Sequence, residues 1–371
     1  MTRLILAIIF LAVCSPVDAQ IGGLIDKAKK ITDQQQKLDE LNISDEEERK
    51  IGDDVSAKIR ARFGVVQDPA VHKYVTLVGL SVARASERPR LAWTFIVLDT
   101  DGVNAFAAPG GIVHITRGAL GLVKNEAELA GVLAHEVGHV AHKHAVNAIR
   151  KSKAVQMGTQ AAAKDRAPYL NQVANKAYEI VLENAFDRGD EIDADKASVM
   201  YAQKAGYSPA TLADFLTRLD DRNKSQAERN GLFASHPETK ERIDKVRTAA
   251  AGMKGANGDA RYKQNIKYTA VPITSIAAVE GGSKGLTGSG GAAAKDDKSK
   301  AKAEAPKKGG FGAGALKQTV APEKQSAQVT ASGGSRGLGP DRAAKGGGNP
   351  ALVRVAAISD GELATFRKAL A

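Results

Sequence analysis

Cysteine is almost missing: Cys14 is the only one among 371 residues. A disulfide framework is therefore excluded, and so is a thiol nucleophile once the segment carrying Cys14 is removed. Aromatic residues make up only 5% of the chain, which points to a globular part diluted by a region of small side chains. Long apolar runs are absent beyond the N-terminus, so a multi-span membrane protein is excluded. The 37 glycines follow no period of three, which excludes a collagen-like rod.

What is present begins with a targeting segment. Arg3, the apolar stretch Leu4 to Val13 and the small residues Val17-Asp18-Ala19 form a secretory signal peptide over 1–19. Leu11-Ala12-Val13-Cys14 loosely resembles a lipid-attachment box, but Val13 suits it poorly, so lipid anchoring at Cys14 is the weaker reading. The expected location is periplasmic or secreted. The net charge of +11 is unevenly spread. Residues 1–250 hold 34 basic against 33 acidic side chains, and residues 251–371 hold 19 against 9. The basic character belongs to the C-terminal third and does not mark a nucleic-acid enzyme.

The pattern along the chain predicts a mainly helical α+β protein. Residues 20–41 read as a polar leader helix. Ser44 to Glu47 is a capping box opening a helix to about Arg62. Valines at three-to-four spacing predict a second helix from Pro69 to Ala85. Residues 92–98 form a strand. NAFAAPGG (104–111) reads as turn-rich and leads into a strand from Ile112 to Thr116. Asn125 caps a strong helix to about Ile149. Residues 150–186 are mostly helical with a break near Pro168, and another helix spans 187–205. Ser208-Pro209 and Ser235 to Glu238 start two more helices. A single folded domain over 42–250 is followed by a β-like extension (251–280). Residues 281–348 are Gly-, Ala- and Lys-rich and expected to be disordered, because they cannot bury enough surface to offset ordering entropy. A short structured segment (349–371) closes the chain.

The sharpest motif is His135-Glu136-Val137-Gly138-His139. On a helix, residues four apart share a face, so both imidazoles reach one zinc, with Glu136 beside them to take a proton from water. Two solvated histidines are the bland alternative. It fits poorly, because Leu129, Val132, Leu133, Val137 and Val140 make the helix a buried one. A catalytic zinc needs a third protein ligand and an open position. His142 and His144 lie off the ligand face and read as structural or surface residues. Glu191 and Asp195 are four apart on a later helix. Glu191 can complete the ligand set, and Asp195 can hold the outer nitrogen of a ligating histidine. Asp193 points elsewhere and reads as solvated. The competing reading is an exposed acidic helix start favoured by the helix dipole.

HEVGH, DRGDEIDAD (187–195), NAFAAPGG and SHP (235–237) stand in an order that resembles metallopeptidase family forty-eight. This is the family of HtpX-like and CAAX-prenyl-protease-like zinc enzymes, and the likeness is to its soluble periplasmic branch. It covers about 40–250. The resemblance implies a gluzincin-like domain with zinc on His135, His139 and Glu191, Glu136 as general base and Asp195 as support. The family's acidic motif often opens Ser-Arg. Here it is Asp187-Arg188, which keeps Arg188. His236 then either stabilises the transition state or caps the zinc as an inhibitory ligand, unless Ser235 to Glu238 is only a helix cap.

Residues Asn104, Pro109, Gly110, Gly111, Ile112, Val113 and His114 are expected along the substrate cleft, with 112–116 as an edge strand to which an extended peptide adds. An ordinary turn and core strand is the alternative. The expected function is a zinc endopeptidase acting on unfolded or misfolded polypeptides, with His236 or Arg188 at the oxyanion. The rival readings are an outer-membrane assembly or quality-control chaperone with gated cleavage, and a binding module using the basic segment on cell-envelope components.

Overall fold

The computed structural model describes residues 43–151, 166–182, 186–224, 239–271 and 349–370. The signal peptide, the leader helix, the cap at 235–238 with His236, and the segment 281–348 lie outside the described residues.

Helix α1 (Asp45–Phe63) starts at Ser44, whose hydroxyl and the Glu47 carboxylate cap each other's backbone N–H. Helix α2 (Pro69–Ala83) starts with Asp68 as its cap and proline in its first turn, where the missing N–H costs nothing. Three strands follow: β1 (Thr94–Leu98), β2 (Ala105–Ala108) and β3 (Ile112–Thr116). The sheet order is β1-β3-β2, with β3 parallel to β1 and antiparallel to β2. Thus 105–108, expected as a turn, is a strand. Its alanines are poor β-formers, but all four residues are buried between neighbours, and packing overrides propensity.

The turn joining β2 to β3 is Pro109-Gly110-Gly111. Gly110 has φ of 72°, and a Cβ there would stand 2.5 Å from the Cα of Arg49. Its N–H donates to Oε1 of the buried Glu48 on α1 at 2.9 Å. The same carboxylate receives both Arg88 guanidinium nitrogens, at 2.9 and 3.0 Å.

Short helix α3 (Arg117–Leu122) leads to α4 (Glu126–Ala141), capped by the Asn125 side chain. Every residue of α4 is buried, so this helix is the centre of the molecule rather than an amphipathic cover. After it come α5 (His144–Lys151), α6 (Arg166–Leu182), α7 (Arg188–Ala205), α8 (Thr211–Lys224) and α9 (Thr239–Ala249). Pro168 lies in the first turn of α6 and does not break it. Helix α7 stops at Gly206 in the left-handed conformation. Among the described residues, no helix is long and apolar enough to cross a membrane.

The α4–α7 contact sets the spacing of the site. A Cβ on Gly138 would come within 3.1 Å of the Ala197 Cβ and 3.2 Å of the Ala194 Cα. The glycine inside HEVGH therefore lets two helix backbones approach closely, and Glu191 rides in on α7.

Of the expected β-like extension at 251–280, residues 272–280 lie outside the described residues, and the described part carries a helix. Asp259–Asn265 form helix α10, whose Tyr262 is buried, and the chain then runs irregularly to 271. Arg261 donates through Nε to Oε2 of the fully buried Glu126 at 2.6 Å. Tyr74 and Tyr207 donate to the same carboxylate at 2.7 and 2.8 Å. The C-terminal segment docks on this body. The Val65 N–H donates to the Asn349 carbonyl at 2.8 Å. Helix α11 (Asp360–Lys368), capped by Ser359, sets Phe366 and Leu370 against the main core.

Candidate metal centre

His135 and His139 are one turn apart on α4, and Glu191 is in the first turn of α7. All three are buried. Their donor atoms converge. His135 Nε2 is 3.1 Å from His139 Nε2 and 3.5 Å from Glu191 Oε2. His139 Nε2 is 3.4 Å from Glu191 Oε1. Tetrahedral ligands at zinc's usual bond lengths stand about 3.3 Å apart, so two imidazoles and a carboxylate fit one zinc ion here.

The surrounding charges favour a cation at this point. Burial alone would lower the His135 pKa, but its hydrogen bonds to Asp195 and Glu191 outweigh that and raise it to about 9. Asp195 Oδ1 is 3.0 Å from His135 Nδ1, the outer nitrogen of that ring. Burial also opposes ionisation of Asp195. Arg242 overcomes it, by charge and hydrogen bonding, and with His135 holds the carboxyl at about 2.

Arg242, on α9, is the residue that sequence reasoning missed. It is buried, with Nη1 2.8 Å from Glu191 Oε2 and Nε 2.7 Å from Asp195 Oδ2. The signal for it was present. Arg242 stands four residues before Val246 and beside Ile243, on the stripe that α9 buries. A cation on an apolar stripe implies a buried partner.

Glu136 is buried next to His135, close enough for its charge to favour the Arg242 guanidinium. His144 is buried as well, and its Nδ1 lies 3.0 Å from Nδ1 of His139. Burial keeps its pKa below the ordinary value. Asp193, expected to be solvated, is half exposed yet contacts both His142 and His144.

Several expected positions differ. Arg188, expected at the oxyanion, pairs with an acidic side chain on α9. Its side chain is 59% exposed, and its guanidinium holds Glu241 through Nε and Nη2, at 2.9 and 2.7 Å, tying α7 to α9. Ile112, Val113 and His114 belong to the central strand, which is paired on both sides, so they offer no open edge to a peptide. His114 is buried with Nε2 2.9 Å from Ser56 Oγ. Asn104 is buried too, its Oδ1 accepting from the Ala105 N–H at 2.8 Å, and it closes the β2–β3 hairpin. Gly110 and Gly111 are buried in the turn. Pro109, with Ala107 and Ala108, does border a crevice against His139 and Val140. His236 lies outside the described residues.

Comparison with known proteins agrees with this geometry. The model of Peptidase family M48 matches residues 69–250. The chain is 26% identical over 223 residues to the beta-barrel assembly-enhancing protease of Yersinia pestis, covering 57% of this chain and 46% of that one. With the Escherichia coli (strain K12) protein of the same name it shares 22% over 220 residues, covering 56% and 45%. It is 27% identical over 202 residues to the mitochondrial metalloendopeptidase OMA1 of Schizosaccharomyces pombe, covering 54% and 60%. The chain thus spans about half the length of the assembly-enhancing proteases it matches. With a histidine pair and glutamate spaced for zinc on its two central helices, residues 69–250 form a Peptidase family M48 domain, the domain of zinc metallopeptidases.

Proposed function

We propose that this protein is a zinc endopeptidase of the bacterial cell envelope that cleaves unfolded or misfolded polypeptides. The convergence of His135, His139 and Glu191 beside a buried Glu136 carries this reading. Zinc, when bound by those three residues, activates water and polarises the scissile carbonyl. Glu136 accepts the proton of the attacking water and delivers it to the leaving amine. Asp195 fixes the tautomer of His135 so that Nε2 faces the metal. Arg242 holds Glu191 and Asp195 in place and balances their charge. His236 acts as a donor to the developing oxyanion or as a cap on the fourth position.

The test is Glu136→Gln. Zinc should stay bound as in the wild type while cleavage of casein or a denatured protein is lost. Full proteolysis by a clean preparation of that variant overturns the assignment.

The similarity to the beta-barrel assembly-enhancing proteases of Yersinia pestis and Escherichia coli favours a role in outer-membrane protein assembly. On this reading the substrates are stalled outer-membrane polypeptides, and the basic segment 281–348 contacts cell-envelope components. The signal peptide delivers the chain to the periplasm, and no nucleic acid is involved. His236→Ala separates gating from direct catalysis, because higher proteolysis marks a gate and lost proteolysis marks a catalytic role.

A further inference from the structure

We propose a second divalent-cation site beside the first, formed by His142 Nδ1, His144 Nε2 and an oxygen of Asp193. The three side chains offer ligand atoms within 4.8 Å of one another. Asp193 Oδ2 contacts His142 Nδ1 and lies 3.2 Å from His144 Nε2. Two imidazoles and a carboxylate suit a borderline cation such as zinc, nickel or copper(II). The outer nitrogen of His142 is also supported. Its Nε2 is 3.5 Å from Glu87 Oε2, and Glu87 in turn accepts from the Tyr201 hydroxyl. Asp190 Oδ1 stands 3.8 Å from His144 Nε2 and adds negative charge. The side chains of His142 and Asp193 are 24% and 50% exposed, against the full burial of the first set, so this ion exchanges with solvent and water completes its shell.

The two sites share a hydrogen-bonded edge. With zinc on Nε2 of His139, that ring carries its hydrogen on Nδ1 and donates to Nδ1 of His144, 3.0 Å away. His144 then carries its own hydrogen on Nε2 and donates to Asp193. A cation on His144 Nε2 takes the place of that hydrogen, and the neutral ring must carry it on Nδ1 instead. Two N–H groups then face each other across the same contact, which neither can satisfy. An ion at the second site therefore weakens the hold of the first on its metal. This coupling rests on the zinc reading of His135, His139 and Glu191, whereas the existence of the second site does not.

Zinc titration of the metal-stripped full chain by calorimetry tests both parts. The wild type should take up one tight and one weaker ion. His142→Ala and Asp193→Asn, both at partly exposed positions, should each lose the weaker ion and keep the tight one. Glu191→Gln reads the first site by itself and should lose the tight ion while keeping the weaker. A wild type that binds a single ion, or two ions retained in both His142→Ala and Asp193→Asn, overturns the site. For the coupling, protein preloaded with radiolabelled zinc is chased with millimolar unlabelled zinc. Release should be roughly tenfold faster from wild type than from His142→Ala, the scale on which losing an outer hydrogen bond weakens a metal site. Equal release rates overturn the coupling.

Discussion

Arg242 and Asp195 meet in a fork: Nε to Oδ2 and Nη2 to Oδ1, both at 2.7 Å, and both side chains are buried. The pair joins α9 to α7 beneath the metal ligands, and Asp195 passes the constraint on to His135.

Removing the arginine should therefore be costly. Arg242→Met leaves the Glu191 and Asp195 carboxylates buried without their cation, which typically costs about 3–5 kcal/mol. Urea unfolding of the metal-free chain measures this, and a change below about 1 kcal/mol contradicts the role. Arg242→Lys should fall between, because a lysine supplies charge without the two-pronged geometry.

Gly138 makes a different prediction. A valine there forces α4 away from Ala194 and Ala197 on α7, and overpacking of this kind costs about 1–3 kcal/mol. Since Glu191 travels with α7, zinc retention after dialysis against a chelator should drop together with the melting temperature. A normal zinc content in a destabilised Gly138→Val protein contradicts the link between helix spacing and ligand convergence.

The helix carrying HEVGH, its Asn125 cap and the later acidic pair were legible because each rests on local spacing. Helical period four alone puts His135 with His139 and Glu191 with Asp195. Arg242 was hidden because its meaning depends on a contact between helices 47 residues apart in sequence. Strand β2 was hidden because its alanines carry little β signal, and its burial comes from α4 and α6 rather than from its own pattern. The position of β3 was misread for a related reason. Sequence order places it last of the three strands, but its hairpin with β2 and its parallel pairing with β1 leave it in the middle. The role of Asp193 needed the third dimension too, since only the packing of α7 on α4 brings it to His142 and His144.

Acid stability gives a further prediction. Burial, with help from the nearby charge of Arg60, pushes the His114 imidazole down to about 3, although a backbone hydrogen bond at Phe106 opposes this. In the unfolded chain the same group titrates near its ordinary value of about 6.5. Between those values the unfolded state binds the extra proton, so stability is lost as pH falls through this window. The slope reaches roughly 1.4 kcal/mol per pH unit for one proton. His114→Gln should flatten the stability profile between about pH 4 and pH 6 by up to that slope, even if its absolute stability is lower. Urea unfolding across that range measures it, and an unchanged slope rules out His114 as the source.

The docking of 349–370 changes what the basic region is. The Val65 N–H donates to the Asn349 carbonyl, and Phe366 and Leu370 pack against the main core. The last described residues of the basic region are thus part of the folded body, held by contacts with residues far away in sequence. A protease cut anywhere between 272 and 348 leaves those contacts, and the helix they fasten, in place. Limited digestion should then yield two fragments that co-elute on a sizing column and separate only in denaturant, with the zinc still bound.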